Sequence, residues 1–378
     1  MSSHSVPHRG DRKRVLAVGP GEGMTTGQAS AFLAFARNSA HEISVVNTND
    51  EGWSTLLRAL SSIRVIVASA FRITFARPDC VYISTSRSRR GAIKDIAVIE
   101  LAKLRRIPVV NHLQGSSFLL FRNALGPGYG KALDHAYESI TASIVPHESL
   151  MSHYSRYPRM AIRVVTNFVD AALEQSLQGA SNRSTRPVKV LFLSNLMPDK
   201  GIFELILAAK AVASAFPGQL CLRIAGRPLP GRGMSVGDIK ERLSTELSGV
   251  PNIEYCGVAD LAKKAALLKW ANVLALPSYM REEAVPLAVL EGMAAGCYLL
   301  VSDHGALPDL VKEVPAAVVP VRDITALERV LTQLIADPQP LEDARMRSPE
   351  IARARHSQTR YVQDIDQIVV EVCTETNR

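Results

Sequence analysis

The sequence alternates short apolar segments of strand length with segments of helical periodicity, and this alternation begins twice along the chain. Strands separated by helices are typical of a parallel sheet that has helices on both faces. The pattern therefore predicts an α/β protein with two doubly wound, Rossmann-like domains that face a central cleft. The predicted strands are 14–19, 43–46, 81–84 and 109–111 in the first series, and 188–194, 220–225, 252–257, 273–276, 298–302 and 317–319 in the second.

A change of composition separates the two series. Residues 176–187 are rich in Ser, Gly, Asn and Arg and end in proline, which is typical of a linker. We predict an N-terminal domain at 1–178, a linker at 179–187 and a C-terminal domain at 188–355. The amphipathic segment 356–378 predicts a helix that packs back on the N-terminal domain.

Several broad classes are disfavoured by composition. No apolar run approaches the ~20 residues of a membrane-spanning helix, and residues 1–14 are polar and basic rather than signal-like. We therefore expect a cytoplasmic protein. The five cysteines are widely spaced and form no Cys-x-x-Cys pair, so neither a zinc site nor a disulfide framework is predicted. Asp364 and Asp366 have the spacing of a metal-binding pair, but in a helix they point to different faces, and no metal site is predicted.

The positive charge lies in the first half of the chain. Residues 1–170 contain 21 Lys and Arg against 12 Asp and Glu, whereas residues 171–378 contain 23 against 24. A basic stretch flanks the amphipathic segment 93–104, which indicates either a solvated helix face or peripheral contact with an anionic inner-membrane surface. No aromatic residues interleave with these charges, so a nucleic-acid partner is not expected. The basic residues are Arg87, Arg89, Arg90, Lys94, Arg105 and Arg106.

The segment after the strand 273–276 is the most informative for chemistry. Pro286 suits the first position of a helix and Gly296 suits its end, which predicts a helix at 286–295. The backbone N–H groups near Val285 to Ala288 would then bind phosphate. Leu287 and Glu291 share one helix face, so the Glu291 carboxylate would lie one turn below that phosphate, at a distance that suits the hydroxyls of a ribose.

Two carboxylates and one lysine complete this predicted site. Glu283, in the loop before the helix, can reach the hydroxyls of a donor sugar, and Lys200, after the strand 188–194, can neutralise a diphosphate. Each could instead be an ordinary surface charge. Glu291, however, interrupts an apolar helix face, and buried carboxylates are rare without a partner, which favours a functional role.

Two further candidates lie in the first domain. Gly23 belongs to the glycine-rich loop 19–27, whose backbone could approach a phosphate or sugar, although the loop lacks the full dinucleotide fingerprint. His112 ends the strand 109–111 and could donate a hydrogen bond to a sugar hydroxyl or position an acceptor. A structural role for this histidine is an equally valid interpretation.

With these residues in view, the sequence resembles the retaining glycosyltransferases of family four, which have the GT-B fold. The resemblance extends from residue 15 to about 319. It centres on the Glu-x7-Glu pattern formed by Glu283 and Glu291, with Pro286 in the expected place, since Glu282 would give the wrong spacing. Segments 164–170, 252–257, 271–278 and 302–311 also resemble family segments in the same order.

The resemblance implies the roles of the site residues. Glu291 would bind the ribose, Glu283 the donor sugar and Lys200 the diphosphate, with Val285 and Leu287 beside them. Gly23 would line the donor phosphate and acceptor site. His112, Lys200 and Glu283 are the candidate catalytic residues. The family usually has arginine at the position of Asn195, and it often has His-Gly where Gln114-Gly115 stands here.

The function that the resemblance implies is transfer of a hexose, with retention and without a metal or cofactor. The donor would be a UDP- or GDP-sugar bound by the second domain. The acceptor would be a saccharide or lipid-linked saccharide of cell-surface polysaccharide synthesis, on the side of the first domain. Two alternatives stay open: a sugar-nucleotide epimerase, and an inactive donor-binding partner subunit, which the departures at Asn195 and Gln114 would suit.

Overall fold

A computed structural model describes residues 12–21, 27–49, 55–179 and 184–375. The chain divides into two compact units, of which the first contains residues up to Asn167 together with those from Gln358 onward, and the second contains Phe168–Ser357. Along the described parts of the chain, no helix combines the length and the apolar character needed to cross a bilayer.

The first unit is built on a six-stranded parallel sheet with the order β2-β1-β3-β4-β5-β6. Its strands are β1 Arg14–Gly19, β2 Glu42–Asn47, β3 Cys80–Ser84, β4 Val109–His112, β5 Ala142–Val145 and β6 Ala161–Val164. Its helices are α1 Gly27–Asn38, α2 Thr55–Phe71, a π-helical turn Arg72–Ala76, α3 Arg89–Leu104, α4 Phe118–Asn123, α5 Pro127–Tyr137 and a 3₁₀ helix Glu148–Tyr154.

The second unit repeats this architecture, with the strand order β12-β11-β10-β7-β8-β9 and parallel pairing throughout. Its strands are β7 Val188–Leu193, β8 Leu220–Ala225, β9 Ile253–Tyr255, β10 Val273–Leu276, β11 Tyr298–Ser302 and β12 Ala316–Val319. The helices are α6 Ala171–Leu177, a 3₁₀ turn Pro198–Lys200, α7 Ile202–Ala215, α8 Val236–Leu247, α9 Leu261–Trp270, α10 Leu287–Ala294, α11 Leu307–Val311, α12 Ile324–Ala336 and α13 Gln339–His356; α14 Gln358–Glu375 belongs to the first unit.

The strand order of the second unit defines where a ligand can bind. The chain runs outward from β7 through β8 and β9, and then returns to the other side of β7 with β10. The order therefore reverses between β7 and β10. In open parallel sheets, ligands bind in the crevice outside the carboxyl ends of the strands, at the point where the strand order reverses.

Three boundaries differ from those expected from the sequence. The helix α10 begins at Leu287 rather than at Pro286, because Pro286 has an extended backbone (ψ 128°) and occupies the N-cap. The helix ends before Gly296, whose φ of +69° stops it. The chain passes between units at Asn167, upstream of the predicted linker 179–187, because Leu173 and Leu177 of α6 are buried in the core of the second unit.

The C-terminal helix α14 is fixed to the first unit by a buried carboxylate. Asp366, which is 5% exposed, accepts hydrogen bonds from Ser39 Oγ at 2.5 Å and from the Ala40 N–H at 2.9 Å. The backbone carbonyl of Asp366 accepts a hydrogen bond from His41 Nε2 at 3.1 Å. Asp366 thus closes the turn between α1 and β2, which is a structural role.

We expect Asp366→Ala to lower the free energy of unfolding by about 2 kcal/mol, because the donors at Ser39 and Ala40 lose their acceptor in a partly buried place. Urea denaturation would measure the change. Asp364→Ala is the matched control on the same helix, since Asp364 faces Arg360 at 3.8 Å in a surface i,i+4 pair worth ~0.5 kcal/mol or less. Equal losses in the two variants would contradict this role for Asp366.

Candidate functional site

The loops that follow β7 and β10 are held against each other at the point where the strand order reverses. The Tyr279 N–H donates to the Asp199 carbonyl at 2.8 Å, and Ser278 Oγ lies 3.4 Å from the same oxygen. Gly201 permits this approach, because a Cβ there would lie 2.1 Å from the Pro277 carbonyl oxygen. Its φ of +76° also favours glycine.

Lys200 and Glu283 form an ion pair across these two loops. Lys200 Nζ lies 2.5 Å from Glu283 Oε2, and the two side chains are only 12% and 8% exposed. The same carboxylate oxygen accepts a hydrogen bond from Ser278 Oγ at 2.8 Å. The two residues that the sequence assigned to diphosphate and donor sugar are therefore in direct contact in this structure.

The loop after β11 supports the Glu283 segment from the other side. Ser302 Oγ donates to the Ser278 carbonyl, and His304 Nε2 donates to the Met280 carbonyl at 2.9 Å. The Glu283 N–H also donates to the Met280 carbonyl, at 2.9 Å. Hydrogen bonds from three strand ends thus fix the backbone that carries Glu283. Ser278, Ser302 and His304 were not singled out from the sequence; the partners of Ser302 and His304 lie 24 residues away along the chain.

Glu291 is buried on α10 and has a cationic partner. The residue is 5% exposed, and its Oε1 lies 2.6 Å from Nζ of Lys264 on α9. A surface role for Glu291 is therefore excluded. A buried carboxylate of this kind requires a cationic partner. The two positions are 27 residues apart, and no sequence pattern indicated which lysine would pair with Glu291.

The N-terminus of α10 lies directly beyond the Glu283 segment. Pro286 at the N-cap offers no side-chain cap, and the helix then begins at Leu287, which is half-buried, while Val285 is buried. Gly292 brings the helix against β10, because a Cβ there would lie 2.7 Å from Leu274 Cδ2. An N-terminus of this kind carries a partial positive charge and donor N–H groups suited to an anion.

Asn195, which stands where the resemblance predicts arginine, is exposed just beyond β7. The N–H of the next residue, Leu196, donates to the Arg227 carbonyl at 2.8 Å. This bond places the backbone of Arg227, just beyond β8, next to that of Leu196. Gly226 allows the two strand ends to meet, because a Cβ there would lie 1.8 Å from the Ser194 carbonyl oxygen. Arg227 is also exposed and was not recognised from the sequence.

His112 lies in the first unit and is 1% exposed. Its Nδ1 is 2.6 Å from Tyr82 Oη, and Gln114 Nε2 donates to its Nε2 at 2.8 Å. Gln114 also reaches Tyr361 Oη on α14 at 3.5 Å. The catalytic role predicted for His112 is not supported by this placement, because both ring nitrogens are bonded inside the unit. The burial and these contacts agree with the structural interpretation of His112. Gly23 lies outside the described residues.

We expect His112 to make stability depend on pH. Burial lowers the pKa of His112 to about 3, whereas the unfolded chain has a histidine pKa of ~6.5. Between these values the unfolded state binds the proton and the folded state does not, so stability falls as the pH falls, by at most ~1.4 kcal/mol per pH unit. Urea titrations of the protein and of His112→Gln between pH 7 and pH 4 would test this, and parallel slopes would contradict it.

We expect Gly201→Ala to displace Lys200 and to weaken the contact between the two loops, because the new Cβ collides with the Pro277 carbonyl. Gly218→Ala is the matched control, since Gly218 has the same φ of +76° but nothing within 4 Å of the added atom. Both variants carry the backbone strain of ~1 kcal/mol, and only Gly201→Ala adds the collision. Thermal denaturation of both would compare them, and equal midpoints would refute the close approach.

The sequence of the second unit matches a family of known proteins. A family model described as "Glycosyl transferases group 1" matches residues 174–354. A GDP-mannose-dependent monoacylated alpha-(1-6)-phosphatidylinositol monomannoside mannosyltransferase of Corynebacterium glutamicum is 27% identical over 150 residues, which are 38% of this chain and 37% of that protein. A glycogen synthase of Mycobacterium tuberculosis is 27% identical over 215 residues, which are 56% of this chain and 47% of that protein. The matches thus span less than half the length of these relatives.

Solved structures resemble the whole chain. Anabaena Alr3699/HepE in complex with UDP has a TM-score of 0.69 at 15% identity, over 95% of this chain and all of that one. Sucrose-phosphate synthase from Thermosynechococcus elongatus has a TM-score of 0.68 at 14% identity, over 96% and 100%. These likenesses confirm the predicted GT-B fold with its two Rossmann-like units. In sequence, the similarity to the group 1 glycosyl transferases is confined to residues 174–354, which lie in the second unit.

Proposed function

We propose that the protein is a retaining glycosyltransferase that moves a hexose from a UDP- or GDP-sugar to a saccharide or lipid-linked saccharide, in cell-surface polysaccharide biosynthesis. The observation that carries the proposal is the Lys200–Glu283 pair at the switch between β7 and β10, followed at once by the N-terminus of α10. A cation, a helix N-terminus and a carboxylate in that order match the diphosphate and the sugar of such a donor.

In the proposed reaction, the bond between the anomeric carbon and the diphosphate oxygen breaks, and a bond from an acceptor hydroxyl oxygen to that carbon forms. The acceptor proton leaves with the departing diphosphate. Lys200 and the N–H groups at the start of α10 stabilise the negative charge that develops on the diphosphate, a contribution typically worth 10²–10³-fold per donor group. This chemistry needs no metal ion, since the cations of the chain supply the charge.

Glu283 has a binding role in this proposal. Its Oε2 is already held by Ser278 and Lys200, so the carboxylate has a fixed position from which to accept hydrogen bonds from sugar hydroxyls. A diphosphate would compete for the Lys200 ammonium and would leave Ser278 to hold Glu283. The ion pair thus holds both groups in position before the donor arrives.

Glu291 and Lys264 extend the proposed donor site toward the nucleoside. The Glu291 carboxylate, fixed through Oε1 by Lys264, can accept hydrogen bonds from ribose hydroxyls. Val285 and Leu287 would line the donor between the ribose and the sugar. In the family that the sequence resembles, an arginine usually stands at the position of Asn195. We propose that Arg227, whose carbonyl bonds to the residue after Asn195, supplies the positive charge for the phosphate instead.

The comparisons support this choice of donor and acceptor without deciding between the nucleotides. The name of one relative specifies GDP-mannose, whereas one of the similar structures was solved with UDP. The acceptor named for the mannosyltransferase is a phosphatidylinositol mannoside, which is a glycolipid. A sugar-nucleotide epimerase would use the same donor site, but it would convert the donor in the absence of an acceptor.

An inactive donor-binding subunit is the second candidate, because Asn195 is exposed and uncharged at a position expected to contact phosphate. The two candidates share the donor site and differ in turnover. Nucleotide binding with no transfer to a broad panel of saccharide and glycolipid acceptors would establish the subunit instead of the enzyme.

We expect Lys200→Ala to reduce kcat by ~10²–10³-fold and Glu291→Ala to weaken nucleotide binding by ~10-fold or more, because the first removes a diphosphate contact and the second a ribose contact. Calorimetry with UDP-, GDP- and ADP-sugars and a transfer assay would measure these effects. Lys210→Ala is the control, since Lys210 on α7 pairs with Glu246 at 2.9 Å, away from the two loops. Activity should persist in EDTA.

Three outcomes would count against the proposal. Unchanged turnover in both Lys200→Ala and Glu291→Ala would remove the site, and loss of activity in EDTA would require a metal-dependent mechanism. Conversion of the donor without an acceptor would identify the epimerase.

A further inference from the structure

The helix α2 presents an apolar stripe to the surface of the first unit. Leu60, Ile63, Val67 and Phe71 are 54%, 57%, 61% and 63% exposed. Their spacing of three and four residues places them along one face of the helix. On an ordinary surface helix this face would be polar, and the described residues of the first unit leave the stripe exposed.

The stripe continues into the π-helical turn that follows α2. Phe75 is 72% exposed, and its ring centroid lies 4.8 Å from that of Phe71. The end of α3 lies beside this turn, because Arg105 Nη2 donates to the Thr74 carbonyl at 3.1 Å. There Leu104 is 78% exposed. We call the whole surface the α2 patch; its apolar residues are Leu60, Ile63, Val67, Phe71, Phe75 and Leu104.

The charged residues in the segments that form the α2 patch are all basic. Residues 60–78 contain three arginines and no acidic residue, and two more arginines directly follow α3. Within the described ranges, no carboxylate forms an ion pair with any of the five. Asp79, the first acidic residue beyond the turn, accepts hydrogen bonds from Arg14. The five basic residues are Arg64, Arg72, Arg77, Arg105 and Arg106.

We propose that the α2 patch docks on the surface of a lipid bilayer that contains anionic headgroups. Exposed aromatic and aliphatic side chains ringed by arginines match the boundary between acyl chains and anionic headgroups, where apolar burial and electrostatic attraction act together. A second copy of the chain fits less well, because a two-fold contact through this patch would bring the same five arginines against each other.

The surface differs from the one indicated by the charge pattern of the sequence. That pattern pointed to the segment 93–104, whose central residues Val98 and Ile99 are buried. Only the end of α3, at Leu104 and beyond, joins the α2 patch. The docking surface therefore belongs mainly to α2 and the π-helical turn, and α3 adds charge at one end.

The test is co-sedimentation of the full chain with vesicles, without any nucleotide sugar. We expect binding to vesicles of phosphatidylglycerol and phosphatidylcholine in equal parts, and roughly tenfold weaker binding to phosphatidylcholine alone or at high salt. The double variant Phe71→Ser/Phe75→Ser should weaken binding by roughly tenfold or more. Arg105→Gln/Arg106→Gln should reduce binding to the anionic vesicles and leave binding to neutral vesicles unchanged.

The matched control is Met346→Ser/Val258→Ser in the second unit, where the two side chains are 68% and 55% exposed. This variant should bind vesicles as the unchanged protein does. Vesicle binding that is the same in the patch variants would overturn the proposal. A second outcome would also overturn it: the protein binds no vesicles, sediments as a dimer, and becomes a monomer in the Phe71→Ser/Phe75→Ser variant. The patch would then be an interface between two copies of the chain. The assay uses no donor, so its result is independent of the transfer reaction.

Discussion

The contact between the loops after β7 and β10 is the constraint on which the candidate site depends. Gly201 packs against the Pro277 carbonyl so closely that no other residue fits, and this contact brings Lys200 to Glu283. Because the two strands are neighbours at the reversal of the strand order, the loops leave the sheet side by side. The hydrogen bonds from Ser302 and His304 then add the end of β11 to the same arrangement.

The candidate site contains two ion pairs, Lys200–Glu283 and Lys264–Glu291, whose carboxylates are buried. Their contribution to the free energy of folding is expected to be small. Removing a carboxylate and an ammonium from water costs several kcal/mol per ion, which their attraction largely offsets, so such pairs contribute little to folding. In the proposed function, the Lys200–Glu283 and Lys264–Glu291 pairs would instead hold charged groups in place for an anionic ligand with hydroxyl groups. These charged groups are already removed from water in the folded protein. A ligand that replaces one partner of a pair therefore forms its interactions without a further desolvation cost for the protein group.

The first unit shows a contrast between its interior and one of its surfaces. Inside, Tyr82, His112, Gln114 and Tyr361 form a hydrogen-bonded network that joins β3, β4 and α14, and burial keeps the histidine neutral. On the surface, α2 exposes the side chains that such a unit would normally bury. The polar side chains of this network bond to one another, whereas the α2 patch lacks a partner within the described residues.

The sequence by itself determined the α/β class, the two sheets and most strand positions, because period-two apolar runs and helical periodicity are local. It also singled out Lys200 in one loop and the Glu283 and Glu291 pair in another segment. The structure brings Lys200 into contact with Glu283, and the binding roles of the three residues stay predictions. The strands β5 and β6 at one side of the first sheet were not predicted, and Pro286 was placed one residue inside the helix. Tertiary structure alone decided that Lys264 pairs with Glu291, that His112 is buried, and that α2 rather than α3 is the exposed apolar helix. Each of these depends on which distant segments meet, and that is set by the order of the strands rather than by any local pattern.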